Sequence, residues 1–279
     1  MSDDVTPLAS LSLTHVYYVG SFSLSSISLH SDMSQNPDDP ISLLCAWLAL
    51  VPQALCVVYA TLIWSTREAE VALMFAGQLG CEAVNFILKR LIKEERPQHI
   101  HRTNTKGYGM PSSHAQFVFF WAVALSLFLL VRHQPRVQAK RANKLGEGNG
   151  RARGLAADIE RYAHEPWSLV ERASVSVAAL VLAGLVAWSR VYLGYHTVNQ
   201  VLVGCTAGAV TAVGWFVATY VARETGLLAW VLEIPVARWL RLRDLVVEED
   251  LCQAGWEKWE GRKQVAIKAS KVSPGKKKS

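Results

Sequence analysis

The sequence predicts an all-α, polytopic membrane bundle of about five spans followed by an interfacial C-terminal helix, and three observations lead there. Hydrophobic residues make up 51% of the 279-residue chain, a composition open to a large soluble domain or a small membrane protein, and the length of the apolar runs decides for the membrane. Basic residues are concentrated in a few connecting segments. Polar residues inside one apolar run recur at helical spacing, as they do where a helix looks into a bundle.

Residues 1–42 show neither a charged leader nor a clean signal-peptide core, and Ser21–Ser34 is serine-rich, so an N-terminal lumenal segment without a cleaved signal is expected. Leu43–Trp64 follows, 22 residues interrupted only by Pro52, Gln53 and Thr61. At about 1.5 Å per residue it crosses a hydrocarbon core of roughly 30 Å. Val71–Leu88 is the second span. Its Gln78, Glu82 and Asn85, with Lys89 beyond, are spaced four, three and four apart, on one helical face. That face reads either as a functional feature or as a polar stripe that joins helices. Ala115–Val131, Ser174–Leu193 and Val198–Ala222 complete the set. Gly204-x-x-x-Gly208 in the last allows close helix packing and by itself says nothing of chemistry.

Between these spans, residues 134–165 hold the Gly-rich, charged stretch Gln134–Ala156 and read as a flexible cytosolic loop inside a membrane domain spanning residues 43–222. Residues 223–279 read as an interfacial helix, Gly226–Leu242 with Trp230 and Trp239, and a basic cytosolic tail. The tail ends in Lys276-Lys277-Lys278, where a dilysine retrieval signal of the endoplasmic reticulum and a plain solubilising run are both open.

Of the 29 Lys and Arg residues, nine lie between Arg132 and Arg172 and twelve after Ala222. Positive segments stay cytoplasmic, so five spans put the N-terminus, the 93–113 loop and the 190–197 turn on the far side. Six basic residues from Lys89 to Lys106 then break the rule, and a phosphate ligand is the simplest reason. This distribution argues against nucleic acid as the partner. The five cysteines show no paired spacing and read as small buried hydrophobes, with neither a disulfide framework nor a zinc site.

The chemistry-bearing residues sit at the ends of spans. Lys89, Arg96 and Arg190 can hold a phosphate through charge-assisted hydrogen bonds, and His114 and His196 offer a nucleophile and a proton donor. The expected reaction class is phosphoryl transfer at a membrane surface. His99 and His101 make a His-x-His without a third ligand of clear spacing and read as loop surface, so no metal site is assigned.

Lys89 with six residues before Arg96-Pro97, then Pro111-Ser112-Ser113-His114, then Ser189-Arg190 with five residues before His196, resembles the three-part signature of the type 2 phosphatidic acid phosphatase superfamily. Within it, the runs Tyr108–Phe117 and Ser189–Thr197, and Ser12–Val16 with His15, resemble dolichyl diphosphatases. The resemblance spans roughly residues 9–17 and 40–245. It implies a helical phosphatase of the endoplasmic reticulum membrane, active site lumenal, that hydrolyses dolichyl diphosphate and so recycles the lipid carrier of protein N-glycosylation. It further implies His196 as nucleophile, His114 as proton donor and later base, and Lys89, Arg96, Arg190, Ser112 and Ser113 as phosphate ligands. No metal or other cofactor is implied. The superfamily usually has an Asp four residues after the nucleophilic histidine; here Gln200 stands there, able to orient the ring but not to supply charge. The alternatives are a broader lipid phosphatase, acting on phosphatidate or a sphingoid phosphate, and a silent relative that binds polyprenyl phosphates.

Overall fold

Pro52 has no N–H to give to a preceding turn, and its ring collides with the carbonyl four residues back. The first apolar run is accordingly two helices, α1 (Pro40–Leu48) and α2 (Val51–Thr66), with a turn at Ala49–Leu50 between them. The computed structural model describes residues 9–11, 14–18, 40–96, 108–133 and 167–247, with parts of 251–265. The 134–165 loop, His99, His101 and the lysine tail lie outside the described residues.

Ahead of α1, strands β1 (Ala9–Leu11) and β2 (Thr14–Tyr18) pair antiparallel, where no element was expected; β-branched and aromatic residues fill the second strand. His15 belongs to β2, and its side chain is outside the described residues.

Helix α3 (Ala69–Ile92) ends where Lys93 turns left-handed at φ 55°. Helix α4 (Ser113–Leu127) runs on through one π turn, Phe128–Arg132. Helices α5 (Leu169–Tyr192) and α6 (Val198–Glu224) each start from a capping box, Ser168 with Glu171 and Thr197 with Gln200. The stretch expected as one interfacial helix is two, α7 (Leu227–Glu233) and α8 (Pro235–Trp239), because Pro235 cannot continue the first and begins the second. Trp230 and Trp239 are 65% and 81% exposed, the placement that suits an interface.

Five helical stretches are long and apolar enough to cross a membrane: Leu43–Thr66, Ala69–Ile92, Ser113–Arg132, Leu169–Tyr192 and Val198–Glu224. The chain is a multi-pass membrane protein. Half of the α4 span is buried inside the protein, against 22–28% for the other four, so α4 is the axis of the bundle. Leu48, Phe117, Val118, Ala122, Ala183 and Val186 join α1, α4 and α5 in one cluster, and Cys81, Phe120, Ala124 and Ala212 join α3, α4 and α6 in another. Outward faces carry exposed Leu62, Phe86, Val181 and Val217, whereas Gln78, Gln116 and Gln200 are fully buried. Polar inside and apolar outside is the pattern that hydrocarbon demands.

Close packing of α6 on α4 depends on two glycines. A Cβ on Gly204 would lie 2.7 Å from the Ser112 carbonyl, and one on Gly208 would collide with the Gln116 carbonyl. The Gly204/Gly208 pair therefore sets the distance between the helix that starts at Ser113 and the helix that starts beside His196, a role in the site that its spacing did not disclose.

At the opposite end, buried ions hold the bundle together. Glu70, 2% exposed, accepts from Arg132 and Arg223 at 2.6 Å each, and Arg223 also pairs with Asp244. Glu68, fully buried, accepts from Arg243 Nε at 2.8 Å and from the Leu245 and Val246 N–H groups at 2.8 and 3.0 Å. The segment after α8 is thereby fastened to the α2–α3 turn. Arg172 and His133 lie at this same end, with Arg172 donating to the His133 carbonyl at 2.8 Å.

Candidate active site

The last turn of α3 delivers Lys89 to the beginning of α4. Lys89 Nζ donates to Ser113 Oγ at 2.5 Å, Ser113 Oγ donates to Asn85 Oδ1 at 3.1 Å, and Asn85 Nδ2 donates to Gln116 Oε1 at 2.8 Å. Gln116 Nε2 then reaches the Cys81 carbonyl at 2.9 Å, and Gln78 Nε2 the Phe117 carbonyl at 3.3 Å. Three members of the polar stripe thus join α3 to α4. Glu82 is the exception: it lines a small pocket with Ser113, His114 and the α2 residues Pro52 and Cys56, and makes no hydrogen bond or ion pair among the described residues.

The approach to α4 is fixed by its backbone. Gly109 N–H donates to the Glu94 carbonyl at 2.7 Å, and Ser112 N–H donates to the Gln200 carbonyl at 3.1 Å. The Ser112 amide is thereby committed inside the protein, and its hydroxyl is the group left to meet an anion. The Ser112 hydroxyl is fully buried without a hydrogen-bond partner among the described residues. The first N–H groups of α4 have no intrahelical acceptor, as at any helix start. A buried free hydroxyl beside such amides is a place where an anion gains hydrogen bonds. The peptide bond before Pro111 is cis.

His114 is 5% exposed, and its Nε2 lies 3.2 Å from the Ala49 carbonyl, which the break between α1 and α2 turns towards it. A carbonyl only accepts, so Nε2 carries the hydrogen and Nδ1 keeps its lone pair.

Arg190 and His196 come from the end of α5 and the turn into α6. Arg190 is 4% exposed and stacks over the Tyr195 ring at 4.3 Å from its centroid. Its carbonyl accepts the N–H groups of Tyr195 and His196 at 3.1 and 3.3 Å, folding the turn so that His196 points back into the bundle. Ser189 Oγ is occupied with the Val186 carbonyl at 2.7 Å.

His196 is 6% exposed, and Nδ1 lies 3.1 Å from Gln200 Oε1. The orientation of the Gln200 amide follows from its other partners. Thr197 N–H, a donor only, faces Oε1 at 3.3 Å, whereas Glu94 Oε1 and the Glu95 carbonyl, acceptors both, face Nε2 at 2.9 Å each. Oε1 therefore faces the ring, Nδ1 holds the hydrogen, and the Nε2 lone pair of His196 is free. Burial first, then the charges of Arg190 and Arg96 with a smaller push from Lys89, hold the His196 pKa down from the usual 6.5 to about 3, against the pull of the Gln200 hydrogen bond. At neutral pH the ring is an uncharged base ringed by cations.

Lys89, Arg96, Ser112, Ser113, His114, Arg190, His196 and Gln200 thus gather at one end of the bundle. Glu94 and the Ala49 carbonyl join them unannounced. Glu94 hides in the spacer between Lys89 and Arg96, where a charged residue is unremarkable in a sequence, and a main-chain oxygen has no sequence signal at all.

Residues 69–224 match the PAP2 superfamily. A Neurospora crassa protein provisionally named as a dolichyldiphosphatase is 64% identical over 283 residues, covering 93% of this chain and 94% of that protein. Dolichyldiphosphatase 1 of Homo sapiens is 36% identical over 203 residues, 72% of this chain and 74% of that one. The dolichyldiphosphatase of Saccharomyces cerevisiae is 29% identical over 214 residues, with 74% and 75% covered. No solved structure matches the chain.

Proposed function

Because the chain belongs to the PAP2 superfamily, we propose that the cluster at the ends of α3, α4 and α5 hydrolyses dolichyl diphosphate to dolichyl phosphate and inorganic phosphate. The observation behind this reading is a buried imidazole whose Nδ1 is held by Gln200, leaving Nε2 free, at the end of the bundle where Arg190, Arg96 and Lys89 gather.

His196 Nε2 attacks the terminal phosphorus, a nitrogen–phosphorus bond forms, and the bond from phosphorus to the bridging oxygen breaks. His114, carrying on Nδ1 a proton taken up from the incoming diphosphate, gives it to that oxygen as dolichyl phosphate departs and is neutral again. Its neutral Nδ1 then takes a proton from water, the resulting hydroxide attacks the phosphohistidine, and phosphate leaves with His196 restored. Lys89, Arg96 and Arg190 balance the charge on the three non-bridging oxygens, where a loose transition state holds it. Ser112 Oγ and the α4 amides add neutral donors. Ser113, bonded to Lys89, aims the ammonium group.

The long polyprenyl tail remains in the bilayer, between or beside the helices. Arg132, Arg172 and Arg223 gather at the other end, and by the positive-inside rule this supports a cluster on the non-cytosolic face, which in the endoplasmic reticulum membrane is the lumen. There it meets the diphosphate that glycan transfer releases. The experiment is phosphate release from dolichyl diphosphate by the purified protein in detergent with excess chelator. Release is expected, in preference to release from dolichyl phosphate or phosphatidate. Equal turnover of phosphatidate, or loss restored by added magnesium, removes the reading.

A further inference from the structure

When the Nε2 of His196 bonds to phosphorus, the ring becomes a cation, and it does so among Arg190, Arg96 and Lys89, which all oppose that charge. A carboxylate against Nδ1 would answer this, but the residue there is the Gln200 amide. The amide is not the end of the chain of contacts. Gln200 Nε2 donates to Glu94 Oε1 at 2.9 Å, giving an unbroken path from carboxylate to amide to imidazole.

We propose that Glu94 is a positioning residue that supplies, through Gln200, the negative charge against which the His196 ring becomes cationic. This rests on the assignment of His196 as the nucleophile. A carboxylate that accepts from the amide N–H polarises the amide and makes Oε1 a stronger acceptor towards Nδ1, as in any chain of hydrogen bonds. Glu94 reaches this position through local structure. Lys93 turns left-handed at the end of α3, and the Glu94 carbonyl is held by Gly109 N–H at 2.7 Å. Glycine is required there because a Cβ on Gly109 would lie 2.8 Å from Gln200 Nε2. Gln200 itself is 0% exposed, whereas Glu94 is at the surface, so a solvated carboxylate acts on a buried ring through one buried amide. The Glu95 contact is made by its main-chain carbonyl and brings no charge.

The rival account makes Glu94 a neutral prop for Gln200. Glu94→Gln separates them, since it keeps an acceptor oxygen and the size but loses the charge. We expect kcat and the rate of phosphohistidine formation, measured by rapid quench with labelled dolichyl diphosphate, to fall together by roughly tenfold with KM little changed. In a Gln200→Asp background the charge stands directly on the ring. There the same Glu94→Gln change is expected to lower kcat by less than about twofold relative to Gln200→Asp alone, and this activity also reports a folded protein. A Glu94→Gln enzyme equal to wild type, or one that loses the same factor in both backgrounds, overturns the proposal while leaving the phosphatase reading intact. A wild-type protein that forms no phosphohistidine removes both together.

Discussion

The N–H of Ser112 donates to the carbonyl of Gln200 at 3.1 Å, so the loop that presents Ser113 and His114 hangs from the residue that orients His196. The two histidines are set relative to each other by one main-chain bond between α4 and α6. Gly204, one turn on, keeps the two helices close enough for that bond to form.

Replacing Gln200 should therefore affect the chemistry more than binding. Gln200→Ala is expected to lower kcat by roughly 10- to 100-fold, about 1.5 to 3 kcal/mol of transition-state stabilisation, with little change in KM. Gln200→Asp should keep more activity because it retains an acceptor for Nδ1. Steady-state kinetics on the three proteins decides, and an unaltered kcat in Gln200→Ala would remove the orienting role.

The two histidines should fail differently. His196→Ala is expected to form no phosphoenzyme. His114→Ala should still form it, but slowly, and should hydrolyse it slowly as well, because both the expulsion of the lipid phosphate and the activation of water lose their proton carrier. Rapid quench followed by acid and base treatment identifies the acid-labile phosphohistidine. Its appearance in His196→Ala would reverse the assignment.

The His196 ring also links stability to pH. Its pKa is lowered in the folded protein from 6.5 to about 3, so between those values the unfolded chain binds the extra proton. The stabilising contribution is complete above pH 6.5 and falls as the solution is acidified, with a slope approaching about 1.4 kcal/mol per pH unit. Thermal unfolding in detergent between pH 7 and pH 5 should show a steeper loss of Tm for wild type than for His196→Gln. Parallel profiles would mean that the ring accepts its proton in the folded state.

At the far end, Glu70→Ala takes from the buried Arg132 its carboxylate and leaves Arg223 with Asp244 alone. Breaking such a cluster from one side costs about 3 to 5 kcal/mol. A large fall in Tm is expected, and restoration by the charge-neutral Glu70→Gln should be partial. A Tm within a degree or so of wild type would show that water or lipid headgroups satisfy these arginines.

The spans were legible because hydrocarbon thickness sets a minimum length that Ala69–Ile92 or Val198–Glu224 cannot conceal. The gathering of Lys89, His114, Arg190 and His196 at one end was legible for the same reason, since each lies at the end of a span and spans alternate in direction. What escaped depends on partners far away in sequence. Glu70 with Arg132 and Arg223, and Glu68 with Arg243, leave no periodic trace. Pro52 was read as an interruption of one helix, whereas it begins a second, and Pro235 divides the C-terminal helix likewise. The commitment of the Ser112 amide to Gln200 is a main-chain contact across 88 positions of sequence, beyond any local pattern.

The turn between α1 and α2 points the Ala49 carbonyl at His114 Nε2. Every amino acid carries that oxygen, so position 49 can hold the tautomer of His114 whatever its side chain, provided the residue is small enough for a site only 3% exposed. What descendants of this chain must inherit is the bend. Two relatives with unlike letters at this position can share the same hold on the ring, and two with identical letters can differ in it if one of them runs straight.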